Sequence, residues 1–142
     1  MIKLLKVAQE VQEVCGREKW RFCFIGGLAL LRWGEPRVTQ DVDLTLLTGF
    51  GEEEQFINVL LTKFTARVNQ AAQFALERRV LLLRSSSGIG IDIALGGLPF
   101  EKSAVLRGSN CKFEAEIVLR TCSAEDLIVF KTFADRPQDW VD

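Results

Sequence analysis

Four places in this chain carry residues able to do chemistry. The first is Asp41-Val42-Asp43, two carboxylates one residue apart at the head of a strand pattern, Asp41 to Leu47. Strand side chains alternate, so Asp41, Asp43 and Thr45 share one face and Val42, Leu44 and Leu46 the other. The apolar set can enter a core while the aspartates stand roughly 6 to 7 Å apart along the strand. Asp is a poor strand former, and like charges this close repel. A divalent cation would compensate, since hard ions such as Mg²⁺ take one or two carboxylates together with substrate phosphates. The plain alternative is a half-exposed strand whose aspartates face water.

The second place is Gly26-Gly27, which follows the apolar stretch Phe22 to Ile25 and precedes an apolar helical segment, Leu28 to Trp33. Glycines there allow backbone conformations closed to other residues and let a ligand approach the main chain. A helix starting at them presents unpaired N–H groups, which suit phosphate. The third is Asp92, the one charge in Ile89-Gly-Ile-Asp-Ile-Ala-Leu95. A lone carboxylate in a buried strand needs either a metal or a nearby Arg. The fourth is Lys131, which continues the stripe of Leu127, Ile128 and Ala134 where a core helix wants an apolar residue. It either snorkels to water or reaches a fixed anion.

These residues need elements to hold them. Leu4, Leu5, Val7, Ala8, Val11 and Val14 have helical spacing, and Gly16 is placed to close that helix. Strands are predicted at 21–25, 41–47, 79–84, 89–95 and 114–119. The turn Ser85-Ser-Ser-Gly88 makes a hairpin of the third and fourth. A turn at 48–51 leads into Glu52-Glu-Glu54, read as the dipole-matched start of a helix running through Phe56, Val59, Leu60 and Phe64. Holding a metal is the other reading of that acidic triplet. Residues 66–77 are predicted helical, with Arg67, Arg78 and Arg79 as a basic rim or as ordinary solvated surface. A loop at 96–99 precedes a short helix over 100–107. Ser123-x-x-Asp126 has capping-box form before a further helix, and another opens near Pro137.

At 142 residues the chain forms one domain, 1–142, with enough apolar residues for a core. It has 10 Phe and 3 Trp, no Tyr, and a net charge of −1, so no overall basic field advertises nucleic acid. The absence of histidine removes Ser-His and Cys-His catalysis and leaves carboxylates, Lys, Arg or a metal. Cys15, Cys23, Cys111 and Cys122 form no Cys-x-x-Cys half, so buried, reduced thiols are expected rather than zinc ligands. No run reaches membrane-spanning length, and the expected compartment is the cytoplasm, with no membrane partner.

Gly26, Gly27, Asp41 and Asp43 together resemble the nucleotidyltransferase superfamily, whose pattern is Gly-Gly or Gly-Ser, a helix, then Asp-x-Asp. The run Gly34-Glu-Pro-Arg-Val-Thr-Gln-Asp-Val-Asp43 resembles the branch related to the AbiEii-type abortive-infection toxins. Lys131, Arg136 and Asp139 are similar to that branch's Lys...Arg...Asp signature. The resemblance implies an α/β (α+β) fold, a mixed twisted sheet flanked by helices, with the active site on its polar edge. It implies Mg²⁺ or Mn²⁺ on Asp41, Asp43 and Asp92, the catalytic carboxylates. Gly26, Gly27, Arg37, Thr39, Lys131 and Asp139 would serve the nucleotide. The implied activity is NMP transfer from an NTP to a hydroxyl of RNA or tRNA, a protein or a small molecule, within a toxin–antitoxin or phage-defence system. The alternative is a domain of the same fold that binds nucleotide or a partner without turnover. Family members usually continue beyond the position of Asp142, so a truncated or minimal form is expected.

Overall fold

The computed structural model describes residues 1–34 and 40–141, with side chains as far as residue 132. Helix α1 (Ile2–Glu18) is followed by β1 (Phe22–Ile25), α2 (Gly26–Arg32), β2 (Val42–Leu47), α3 (Glu53–Lys63), β3 (Thr65–Ala66) and α4 (Ala71–Arg78). Then come β4 (Val80–Arg84), β5 (Gly90–Gly96), α5 (Pro99–Arg107), β6 (Ser109–Lys112), a 3-10 turn (Glu114–Glu116), β7 (Val118–Thr121) and α6 (Ala124–Val141).

The strands form one sheet in the order β3-β4-β5-β2-β1-β7-β6. β2 runs antiparallel to β1 and parallel to β5, and β1 runs parallel to β7, so the sheet is mixed as expected. Alternation sorts the strand residues as the sequence demands. Val42, Leu44 and Leu46 join Phe22, Phe24, Leu81, Leu83, Ile91, Ile93 and Leu95 in the larger core, which α1, α3 and α4 cover. The opposite face carries Cys23 and Ile25 under Ala29 of α2, Val105 of α5 and Leu127 of α6. Asp43 and Thr45 lie on this second face, and α5 packs against β2 there. Burying the larger core removes apolar area at about 25 cal/mol per Å², and that term fixes the register of the central strands. A one-residue slip would turn Val42, Leu44 and Leu46 outward.

Several boundaries differ from the pattern. α1 passes through Gly16 and ends where Lys19 takes the left-handed conformation, with the Trp20 N–H returning to Cys15 O at 2.9 Å. Residues 66–77 are not one helix. Ala66 pairs with Leu83, the Arg67 N–H donates to Leu82 O, and left-handed Gln70 precedes α4. Backbone pairing at the sheet edge outweighs helix propensity there. The strand expected over 114–119 is a 3-10 turn followed by β7, because Ala115 and Glu116 have positive φ. β6 gave no signal: Ser-Asn-Cys-Lys is a polar edge strand without apolar alternation. α6 runs unbroken through position 137, where a new helix was expected. Proline there removes one backbone donor and leaves the helix assignment intact.

Candidate active site

The β2–β5 pairing brings two of the three aspartates together. Val42 aligns with Ile91, Asp43 with Asp92 and Leu44 with Ile93, so the two carboxylates are register partners on adjacent parallel strands. On the other side of β2, Asp43 aligns with Ile25, the last residue of β1. The next residue, Gly26, opens α2 with φ +60. A Cβ at Gly26 would clash with Asp43 Oδ2 and lie 3.1 Å from its Cγ. Glycine is therefore required here twice, for the positive φ and for the close approach of the backbone to a carboxylate. The far end of α2 is anchored independently. Arg32 donates to Ser109 O at 2.8 Å and Thr121 Oγ1 at 3.0 Å, and Trp33 Nε1 donates to Cys122 O at 3.0 Å.

Asp41 precedes β2 and is exposed, whereas Asp43 and Asp92 are half-buried. Gly90 of β5 makes room for Asp41: a Cβ there would lie 2.7 Å from Asp41 Oδ1 and 2.5 Å from Arg67 Nη1. Arg67 Nη2 meets Asp92 Oδ1 at 2.6 Å, and Nη1 donates to Leu83 O at 3.2 Å. The carboxyl of Asp43 is pushed up to about 7, first by burial, then by the charges of Asp92 and Asp41 and a hydrogen bond shared with Asp92. Arg67 opposes that rise. Thr45, on the same face two residues along, has a buried hydroxyl with no partner among the described residues.

This donor set fits a hard divalent cation. Asp43 and Asp92 are register partners beside Asp41, and burial, then the charges of Asp92 and Asp41, raise the Asp43 carboxyl. Mg²⁺ needs only one or two protein carboxylates when phosphates supply other ligands. As placed, with Asp92 turned to Arg67, no three such side chains among the described residues converge as cation ligands. When bound, Asp41, Asp43 and Asp92 would hold the ion.

The other expected site residues divide. Gly26 and Gly27 stand beside Asp43 at the opening turn of α2. Lys131 is exposed on α6, which packs against α2, and it pairs with no carboxylate among the described residues. Arg37 and Thr39 lie outside the described residues, as does the side chain of Asp139. The acidic triplet is a helix start as read, though Glu53 also accepts from the Gly51 N–H at 2.8 Å and pairs with Arg79. The basic rim does not form. Arg67 and Arg79 both reach inward to carboxylates, while Arg78 lies over Phe74. Arg67 is the residue that sequence pattern missed at this site. The available signal was the charge deficit: an Asp in a sheet interior calls for an arginine as well as a metal.

All four cysteines are free, and burial pushes the thiols of Cys15, Cys23 and Cys122 up to about 12, which suits inert core residues. Among the described residues no helix is long and apolar enough to cross a membrane.

A solved structure from Thermotoga maritima, provisionally assigned as a nucleotidyltransferase, superposes with a TM-score of 0.65 at 12% identity, covering 98% of this chain and 89% of that one. That likeness establishes the nucleotidyltransferase fold. No curated protein matches the chain significantly. The AbiEii model, described as a nucleotidyl transferase toxin of type IV toxin–antitoxin systems, matches residues 14–142. That span includes every strand of the sheet and all three aspartates, and the chain belongs to the AbiEii nucleotidyltransferase toxin family.

Proposed function

We propose that this chain transfers NMP from an NTP to a hydroxyl acceptor in a divalent-metal-dependent reaction, as the toxin of a toxin–antitoxin pair. The observation that carries the reading is the register pairing of Asp43 with Asp92, with Gly26 closed against Asp43. Mg²⁺ or Mn²⁺, when bound, would neutralise charge developing on the attacking and leaving oxygens. Asp41, Asp43 and Asp92 would hold that ion, and Asp92 would accept the proton of the acceptor hydroxyl. The acceptor oxygen bonds to the α-phosphorus, the bridging bond to the β-phosphate breaks, and pyrophosphate leaves. Gly26 and Gly27 offer backbone N–H groups to the β- and γ-phosphates, aided by Lys131 and Arg37. Thr39 and Asp139 belong to the same nucleotide set by their place in the family motifs. The acceptor class is RNA (including tRNA ends), a protein or a small molecule.

The test is transfer from each of the four α-labelled NTPs to total RNA and to protein, with Mg²⁺ or Mn²⁺ and with chelator. Wild type should label one acceptor class, and Asp41→Asn and Asp43→Asn should lose about 10³-fold or more of that labelling. Full labelling by Asp41→Asn at saturating Mg²⁺ would reject the assignment.

One observation favours the second reading, a domain that binds nucleotide without turnover: Asp92 is already committed to Arg67. Metal-dependent NTP binding by calorimetry, with no labelled acceptor, would select it.

A further inference from the structure

Arg67 leaves the two-residue strand β3 at the edge of the sheet. Its backbone N–H donates to Leu82 O at 3.0 Å, so its Cα is fixed to β4. From there the side chain crosses β4 to β5, resting one guanidinium nitrogen on Leu83 O and the other on Asp92. It passes over Gly90, where a Cβ would stand in the way of both Arg67 and Asp41. A permanent cation is thereby held on Asp92, the register partner of Asp43. On the metal-dependent reading proposed above, on which this argument rests, Asp92 would be a metal ligand.

We infer that Arg67, bonded to Asp92, competes with the divalent ion for that carboxylate. The guanidinium keeps its proton at any working pH, so it cannot vacate Asp92 by titration and must move. It has somewhere to go. Its side chain is 22% exposed and that of Asp92 34%, and the ion pair is a single Nη2–Oδ1 contact rather than a two-pronged clamp. A pair of this kind is strong enough to hold Asp92 between turnovers and weak enough for a divalent charge to displace. The device gives Asp92 a counter-charge beside the Asp43 carboxyl. It also makes metal affinity depend on a residue that is not a ligand. Arg67 is thus a positioning residue for Asp92, acting through electrostatics.

The experiment is Mn²⁺ titration without nucleotide, by calorimetry, on wild type, Arg67→Gln, Arg67→Lys and Asp43→Asn. Arg67→Gln is expected to bind Mn²⁺ about tenfold more tightly than wild type, the loss of one partly exposed charged hydrogen bond. Arg67→Lys should return affinity toward wild type, and Asp43→Asn should lose binding. Equal or weaker binding by Arg67→Gln overturns the inference while leaving the metal-dependent reading intact. If neither wild type nor Arg67→Gln binds Mn²⁺, both fall together. A measurement on wild type alone guards against a variant that fails to fold: the Arg67 Nε–H resonance should shift on adding Mg²⁺. An unmoved resonance at saturating Mg²⁺ overturns the inference.

Discussion

Asp126 and Asp43 are both carboxylates withdrawn from bulk water, and the protein treats them in opposite ways. Asp126, 4% exposed at the start of α6, receives Arg107 through two bonds, Nε at 2.9 Å and Nη2 at 2.7 Å. Its backbone N–H is capped by Ser123 Oγ at 3.1 Å. That set holds its carboxyl below the usual carboxylate range, the Arg107 hydrogen bonds being the main cause. Glu53 is also held low, by its own backbone N–H, the Gly51 N–H and Arg79. In both places each acid has its own base. At the site, Arg67 bonds to Asp92, and Asp43 beside it is pushed up instead, first by burial and then by the charges of Asp92 and Asp41. A carboxylate clasped by its own arginine joins two elements, whereas a buried carboxylate whose pKa is raised beside other acids is the kind of group found at functional sites.

The largest expected effect is at a matched site. Arg79 pairs with Glu53, donates to Leu95 O at 2.7 Å and Gly49 O at 3.2 Å, and lies 4.4 Å over the Phe50 ring. It thereby ties the start of α3 to the end of β5. Arg79→Ala removes all of this and strands a nearly buried carboxylate, while keeping a Cβ at a position with φ 62 so that backbone strain is unchanged. The melting temperature should fall by about 8 °C, read by circular dichroism, with Mn²⁺ affinity unaltered. A comparable loss of metal affinity would break the separation between structural and site carboxylates.

The two classes should also tilt stability in opposite directions with pH. Asp126 has a folded-state value below its unfolded one, so its stabilisation is present at neutral pH and lost as pH falls below the usual carboxylate range. Asp43 has a folded-state value raised from 3.8 to about 7, so its contribution is fully present below the unfolded value and lost as pH rises toward 7. In protein treated with chelator, Asp126→Asn should melt lower than wild type at pH 7, and the gap should close as pH falls below the usual carboxylate range. Asp43→Asn should do the reverse, matching wild type at low pH and melting higher at pH 8. Parallel curves for the two variants would remove the distinction.

The fold was largely legible in the sequence where burial sets a period. The alternation of Val42, Leu44, Leu46 and of Ile91, Ile93, Leu95 located the two central strands, and the hairpin turn at 85–88 located β4 against β5. The edges were not, because β3 and β6 are short, polar and held by backbone pairing rather than by a buried face. The aspartates and glycines of the site were legible because their types are costly where they stand. Arg67 was not legible as part of it. Its role depends on β3 pairing with β4 and β4 with β5, which brings residue 67 beside residue 92, and no local period records such a contact.

The smallest expected effect sharpens the same contrast from the solvent side. Lys112 and Glu116 pair at 3.0 Å, a distance that would look significant in a buried setting, but their side chains are 62% and 82% exposed. Water screens the attraction, and ordering two long side chains costs entropy, so such pairs contribute little. Glu116→Gln should therefore shift the melting temperature by less than about 1 °C, with or without added salt. Glu116 also has φ 63, in the left-handed region that a glycine occupies without strain. Glu116→Gly should then raise the melting temperature even though it deletes the ion pair, provided backbone strain outweighs the screened charge. A marked fall in both variants would mean that pairing itself, rather than burial, governs what a carboxylate contributes here. The contrast between Asp126 and Asp43 would then need a different basis.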